Sequence, residues 1–169
     1  MLSFDIRSLA SGAAQVDGVV AGDDPVWEES DARPAAGVHV TGRLSPAGPG
    51  RFYFSGRFDG EVAASCRRCL TDVVLPVADD AHLLFVEADD EEADDPDVYR
   101  VDPRARDLDL RPAIREQWLL SVPAYAQCRD DCKGLCPTCG VDRNVASCDC
   151  APAADSRWDA LRATRSPRS

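Results

Sequence analysis

The chain has 169 residues, about enough for one domain with a small appendage, and 44% of them are apolar, an ordinary share for a globular protein. Its formal net charge is −11, the wrong sign for binding nucleic acid through overall charge alone. No apolar run reaches the length of about 18 residues that a spanning helix needs, and MLSFDIRSLA lacks the basic and then apolar pattern of an export signal, so the expectation is a cytoplasmic protein with no membrane partner.

The chain opens on a short expected strand, with Leu2, Phe4 and Ile6 on one face and Leu9 after them. Residues 11–36 are rich in Gly, Ala, Asp and Pro and read as loop with one strand at most. Within them Trp27 reads as a packing residue, not a binding one. From Gly37 the apolar residues alternate. Val38, Val40 and Leu44 precede the turn-forming SPAGPG at 45–50; Phe52, Phe54 and Phe58 follow it. Val62 and Ala64 continue the series after an expected turn at Asp59–Gly60, and Val73 to Val77 and Leu83 to Glu87 supply two further strands. Period-two alternation with Gly and Pro punctuation predicts an antiparallel sheet of about five strands with one buried face.

Arg43, Arg51, Tyr53, Arg57 and Arg67 fall on the opposite, solvent side of that pattern. Basic groups interleaved with an aromatic suit an RNA backbone, so Arg43, Arg51, Arg57 and Arg67 are the candidate RNA-binding residues. An ordinary solvated face is the alternative reading. His39 and His82 also lie on strand segments and read as surface or satisfied histidines.

Negative charge concentrates between Asp79 and Asp109, where 13 Asp and Glu face three Arg. Its densest part, EADDEEADDPD at 87–97, cannot bury a core and predicts a mobile acidic loop. Asp107 to Val122 then predicts a helix covering the sheet. Leu110, Ile114, Trp118 and Leu119 share one stripe, Pro112 sits in the first turn, Arg111, Arg115 and Glu116 face outward, and Pro123 ends it.

The cysteines carry the chemistry. All eight fall in two groups: Cys66 and Cys69 in CRRC, and Cys128, Cys132, Cys136, Cys139, Cys148 and Cys150 in CRDDCKGLCPTCGVDRNVASCDC. Eight thiolates complete two tetrahedral four-Cys zinc sites with none left over. The preferred partition gives Cys136, Cys139, Cys148 and Cys150 to one local, ribbon-like site, whose closure costs little loop entropy. Cys66, Cys69, Cys128 and Cys132 form the other, stapling the sheet to the chain after the helix. One zinc with four remaining thiols is the alternative arrangement; disulfides suit a secreted chain better. Four sulfurs per site leave no open coordination position, which points to structural and not catalytic metal. No P-loop, GxSxG, HExxH or dinucleotide fingerprint is present, and no thioredoxin-like βαβ pattern precedes CPTCG. The chain therefore divides into a sheet-and-helix body at 1–126 and a cysteine-rich module with a basic tail at 127–169. In that tail Trp158 and Leu161 suit a short helix packed on the body.

CRRCL after a strand, REQWLLSVP at the helix end, CKGLCPTCGVDRN with CDC, and DSRWDAL before the end together resemble the YceD family, the large ribosomal RNA subunit accumulation proteins. The resemblance spans roughly 37–163 and the opening strand. It implies a bacterial cytosolic or plastid protein needed for accumulation or processing of large-subunit ribosomal RNA, with no known enzymatic activity. Its partners would be a precursor of that RNA or ribosomal assembly proteins, and it implies no small-molecule substrate. By the same resemblance, the family's cysteine pair falls on Cys66 and Cys69 and its tail knuckle on Cys136, Cys139, Cys148 and Cys150. Members differ in keeping the tail cysteines, and the acidic run at 87–97 is local to this chain. The expected protein is α+β: an antiparallel sheet, one covering helix and a zinc-ribbon-like C-terminal module. A zinc-binding adaptor, a thiol-redox protein or a ribonuclease, unconnected to this family role, stand as the other readings.

Overall fold

In the computed structural model, which describes residues 2–151 and 156–158, the chain begins with a short strand, β1 (Ser3–Asp5), and a short helix, α1 (Ile6–Ser11). The Asp5 carboxylate caps that helix by accepting from the Arg7 and Ser8 amides. Next come β2 (Ala14–Ala21), β3 (Pro34–Gly48), β4 (Arg51–Ser65) and β5 (Asp72–Glu87). β6 (Val98–Val101), β7 (Asp107–Asp109) and α2 (Arg111–Ser121) follow. The main sheet has the order β2-β3-β4-β5-β6, while β1 and β7 form a separate antiparallel pair.

The count of five strands matches the expectation, but their identities differ in four places. Residues 14–21, within the stretch read mainly as loop, form β2, which buries Val16 and Val20. No turn occurs at Asp59–Gly60; β4 runs straight through, with Gly60 between Val38 and Val77. Glycine there makes room for a ring: a Cβ on Gly60 would stand 3.0 Å from Trp118 Cζ3. The two strands read at 73–77 and 83–87 are one strand, whose middle carries exposed Asp79 and Asp80 on a solvent-facing stretch. Finally, β6 runs parallel to β5, so the sheet is antiparallel except at that edge. The acidic segment between them is the crossover that a parallel pair requires.

One face of the sheet is buried under α2 and α1. Val38, Val40, Leu44, Phe54 and Phe58 are fully buried there. Trp118 closes the layer. Its ring meets Trp27 edge-on at 6.5 Å and Phe58 at 6.5 Å, and its Nε1 donates to the Ala32 carbonyl at 2.7 Å. Loss of such a side chain costs about 3–5 kcal/mol. Trp27 is thus the packing residue expected of it.

α2 is shorter than the stripe predicted, because 107–109 pair with β1 and the helix begins only after Leu110. Arg111 and Arg115 do not project freely. Arg111 pairs with Asp109 and Asp24, and Arg115 with Asp31 and Glu28. These pairs tie the helix to the 21–33 connection that also carries Trp27. Among the described residues, no helix is long and apolar enough to cross a membrane.

Candidate metal centre

Two short turns in distant parts of the sequence fold alike. In CRRCLT, between β4 and β5, the Cys66 amide donates to the Thr71 carbonyl at 2.8 Å and the Leu70 amide to the Cys66 carbonyl at 2.8 Å. In CPTCGV the Cys136 amide donates to Val141 at 2.8 Å and the Gly140 amide to Cys136 at 2.9 Å. Each turn brings two cysteines to one site and passes through a left-handed residue, Leu70 (φ 60°) or Gly140 (φ 74°). Gly140 suits that backbone; Leu70 does not, and it is the only non-glycine residue of positive φ among those described.

The remaining cysteines converge on these turns. Cys66, Cys69, Cys128 and Cys132 form one quartet and Cys136, Cys139, Cys148 and Cys150 another, with the sulfurs of each within 4.8 Å of one another. These are the two groups that the spacing favours. Cys66 and Cys132 sulfurs lie 3.9 Å apart, Cys69 and Cys128 sulfurs 3.6 Å. A zinc ion with four bonds of about 2.3 Å sets its sulfurs about 3.8 Å apart, so the first quartet has the size of a tetrahedral site.

Backbone amides favour thiolate at the first cysteine of each turn. N–H groups of Cys69, Arg68 and Cys128 lower the Cys66 thiol to about 6, and those of Cys139 and Thr138 lower Cys136 to about 6. The later ligands go the other way. Burial raises Cys128 to about 12, and the neighbouring Cys139 sulfur raises Cys150 to about 12. Each quartet thus draws in negative charge that its own thiols cannot all carry, a set of donors fitted to a divalent cation.

The quartets are not independent. The Leu135 amide donates to the Arg68 carbonyl at 2.8 Å, laying the segment before the second turn against the first. Gly134 permits that contact, since a Cβ there would come within 2.8 Å of the Arg68 carbonyl oxygen. Arg67 N–H donates to Ala126 at 2.9 Å on the other side of the same turn. Asn144, which lies between the ligands of the second quartet, sends its Nδ2 to Cys132 Sγ of the first at 3.5 Å. Its Oδ1 accepts from the Lys133 amide and from Arg129, both at 2.8 Å, and Asp142 holds its amide in place. Asn144 and the Thr71 hydroxyl, 3.3 Å from Cys69 Sγ, were not among the residues singled out from sequence. An amide or hydroxyl two to five residues from a ligand gives no distinguishing pattern.

The four candidate RNA-binding arginines do not share one free cationic face. Arg43 and Arg57 lie on the outward face of β3 and β4, exposed. Arg57 stands opposite Asp80, however, and the face also carries Asp17 and Asp59 around His39. Arg51 is taken up by the acidic segment, donating to both oxygens of Asp90 at 2.7 Å and to Glu92 at 3.2 Å. Val86, on the same face as Arg51, is fully buried, and Ala93 within the segment is buried as well. The acidic stretch, read from sequence as a loop, is a series of turns attached to the sheet, with Arg100 bonding Ala93 and Asp94. Arg67 sits apart, on the first cysteine turn, with its guanidinium 5.0 Å from the Tyr125 ring centre. His82 contacts the Tyr53 hydroxyl, consistent with a satisfied surface histidine. Trp158, in the short turn 156–158, is 55% exposed, and the expected helix partner Leu161 lies outside the described residues.

The family model described as large ribosomal RNA subunit accumulation protein YceD matches residues 54–163, about two thirds of the chain, including both cysteine turns. The chain belongs to the YceD family. YlbN of Bacillus subtilis is 26% identical over 145 residues, covering 85% of this chain and 83% of that protein. A Mycobacterium bovis protein, Mb2951c, is 38% identical over 89 residues, 48% of this chain and 42% of its own. The chloroplastic large ribosomal RNA subunit accumulation protein YCED homolog 1 of Zea mays is 40% identical over 48 residues, 28% of this chain and 16% of its own length. No solved structure matches the chain. The YceD match begins inside β4 and not at Gly37, so β1, α1, β2 and the whole of β3 lie outside it.

Proposed function

We propose that this protein is a non-enzymatic ribosome-biogenesis factor that supports accumulation or processing of large-subunit ribosomal RNA, with one zinc ion in each cysteine quartet. The supporting observation is the pair of all-cysteine quartets within a member of a family described by that RNA. Zinc suits a site of four thiolates, and a site filled by four sulfurs has no position for a reacting water. The metal's work is then architectural. It fixes the 126–150 segment, which has no helix or strand beyond a single bridge between Leu135 and Asp142, against the end of the sheet. Zinc when bound supplies folding free energy there, which the few buried apolar groups beside the first quartet cannot.

Depletion of the protein in its own cell tests the reading. The expected result is a fall in mature large-subunit relative to small-subunit ribosomal RNA, restored by the intact chain and not by a Cys66→Ser/Cys69→Ser form. An unchanged ratio overturns it. Two zinc ions per purified chain, with all eight thiols masked from alkylation, is the expected metal content; rapidly labelled thiols in the metal-loaded protein favour thiol chemistry instead.

A further inference from the structure

Three cations from three separate segments converge beside the cysteine quartets. Arg68 comes from the first turn, Lys133 from the residue after Cys132, and Arg143 from the loop after the second turn. Together with Ala146, Ser147 and Cys148 they line one hollow of about 430 Å³. No carboxylate lines it, and none of the three side chains makes an ion pair or side-chain hydrogen bond among the described residues. That sets them apart from Arg51, Arg100, Arg111 and Arg115, each held by one or more carboxylates. It also separates this hollow from the one near α1, where Arg106 reaches Asp5 and Asp102 and Asp107 flank the arginines in sequence.

We propose that this hollow is where the protein grips RNA, with Arg68, Lys133 and Arg143 binding backbone phosphates; the inference rests on the ribosomal reading above. The chemistry supports a polyanion over a protein surface. The lining offers three cations, a serine hydroxyl, the Ala146 methyl and the Cys148 sulfur, with no aromatic and no large aliphatic side chain to anchor a protein partner. The placement also explains how so acidic a chain meets RNA. Most of its net negative charge falls in the 79–109 stretch, while these three cations pair with no carboxylate and sit on or next to the cysteine turns, beside the quartets. Positioned phosphate contacts of this kind fix register without reading base sequence.

The test uses the full chain loaded with zinc and labelled transcripts tiling large-subunit ribosomal RNA, alongside capture of precursor particles from lysate. Arg68→Gln/Lys133→Gln/Arg143→Gln is expected to weaken transcript binding at least tenfold at moderate salt. It should also flatten the dependence of log affinity on log salt by about 2, close to three lost single-strand phosphate contacts. Arg43→Gln/Arg57→Gln should bind as wild type, and Arg68→Lys/Arg143→Lys should retain most of the affinity. Zinc content equal to wild type shows that the quartets are intact. If the triple variant loses metal, Lys133→Gln and Arg143→Gln are compared singly, each expected to weaken binding about threefold. Unchanged transcript affinity in the variants overturns the hollow and leaves the ribosomal reading standing. So does capture of precursor particles by a chain that binds no transcript, because the contact is then with protein. Failure of both transcript binding and capture overturns the hollow and the ribosomal reading together.

Discussion

Leu70 and Gly140 occupy the same position in two equivalent turns: each amide closes onto the carbonyl of the turn's first cysteine, and each residue has a left-handed backbone. Only one of them is suited to it. Leu70 is 64% exposed, so little packing offsets its strain, while a Cβ added at Gly140 would meet nothing within 4 Å. Leu70→Gly should therefore stabilise the zinc-loaded chain by about 0.5–1 kcal/mol, and Gly140→Ala should destabilise it by about 1 kcal/mol. Denaturant midpoints of the two variants, at fixed free zinc, check the opposite signs.

Asn144 joins the quartets, since it rises from the loop of one and points its amide at Cys132 of the other. Asn144→Ala should lower metal affinity of the Cys66, Cys69, Cys128, Cys132 site by about 10–100-fold, the usual effect of removing a group that orients a ligand. Chelator competition on the loaded protein measures it. Asn144→Asp, which keeps the contacts to Lys133 and Arg129 but brings a carboxylate to the sulfur, should be no better than alanine.

Asp31 makes the helix attachment pH-dependent. A two-pronged hydrogen bond from Arg115, followed by the Glu28 amide, holds its carboxyl below the ordinary aspartate range. A carboxyl whose folded pKa is depressed contributes stability above its unfolded pKa and loses it as pH falls through the folded one. The stability difference between wild type and Asp31→Asn should be constant from neutral pH down to about 4 and shrink below that. A difference that grows on acidification would contradict this attachment. Urea titrations at stepped pH provide the measurement.

Arg51 anchors the acidic crossover and is not free for a partner. Arg51→Ala should raise protease cleavage and amide exchange within 88–97 while leaving transcript affinity within about twofold, since loss of a paired surface cation releases few counterions. A large loss of RNA binding would return Arg51 to the contact surface.

Much of the fold could be read from alternation. Val38 to Phe58 lie where period two puts them, and Trp118 and Ile114 where the helical stripe does. The errors came where one residue type serves two ends. Gly60 reads as a turn but clears space for Trp118, a contact across 58 positions of sequence. Val73 to Val77 and Leu83 to Glu87 read as two strands, yet a strand facing water tolerates Asp79 and Asp80 between them. The one strand allowed within 11–36 could not be placed at 14–21, because only Val16 and Val20 mark its buried side. At the site, cysteine spacing carried the two groupings, because the sulfurs must meet wherever the backbone turns. It could not reveal Asn144, the strained Leu70, or the pairing that removes Arg51 from the basic face, all of which depend on neighbours brought together by folding.

Cys132 serves one quartet and Cys136 the other, with only three residues between them. If each quartet holds a zinc ion, as proposed, a molecule that lost one ion would let go of the lever arm by which the second is held. Half-filled chains should be scarce, and a cell short of zinc would hold two populations, complete and collapsed. The supply of working protein would then switch over a narrow span of metal concentration instead of declining in proportion to it.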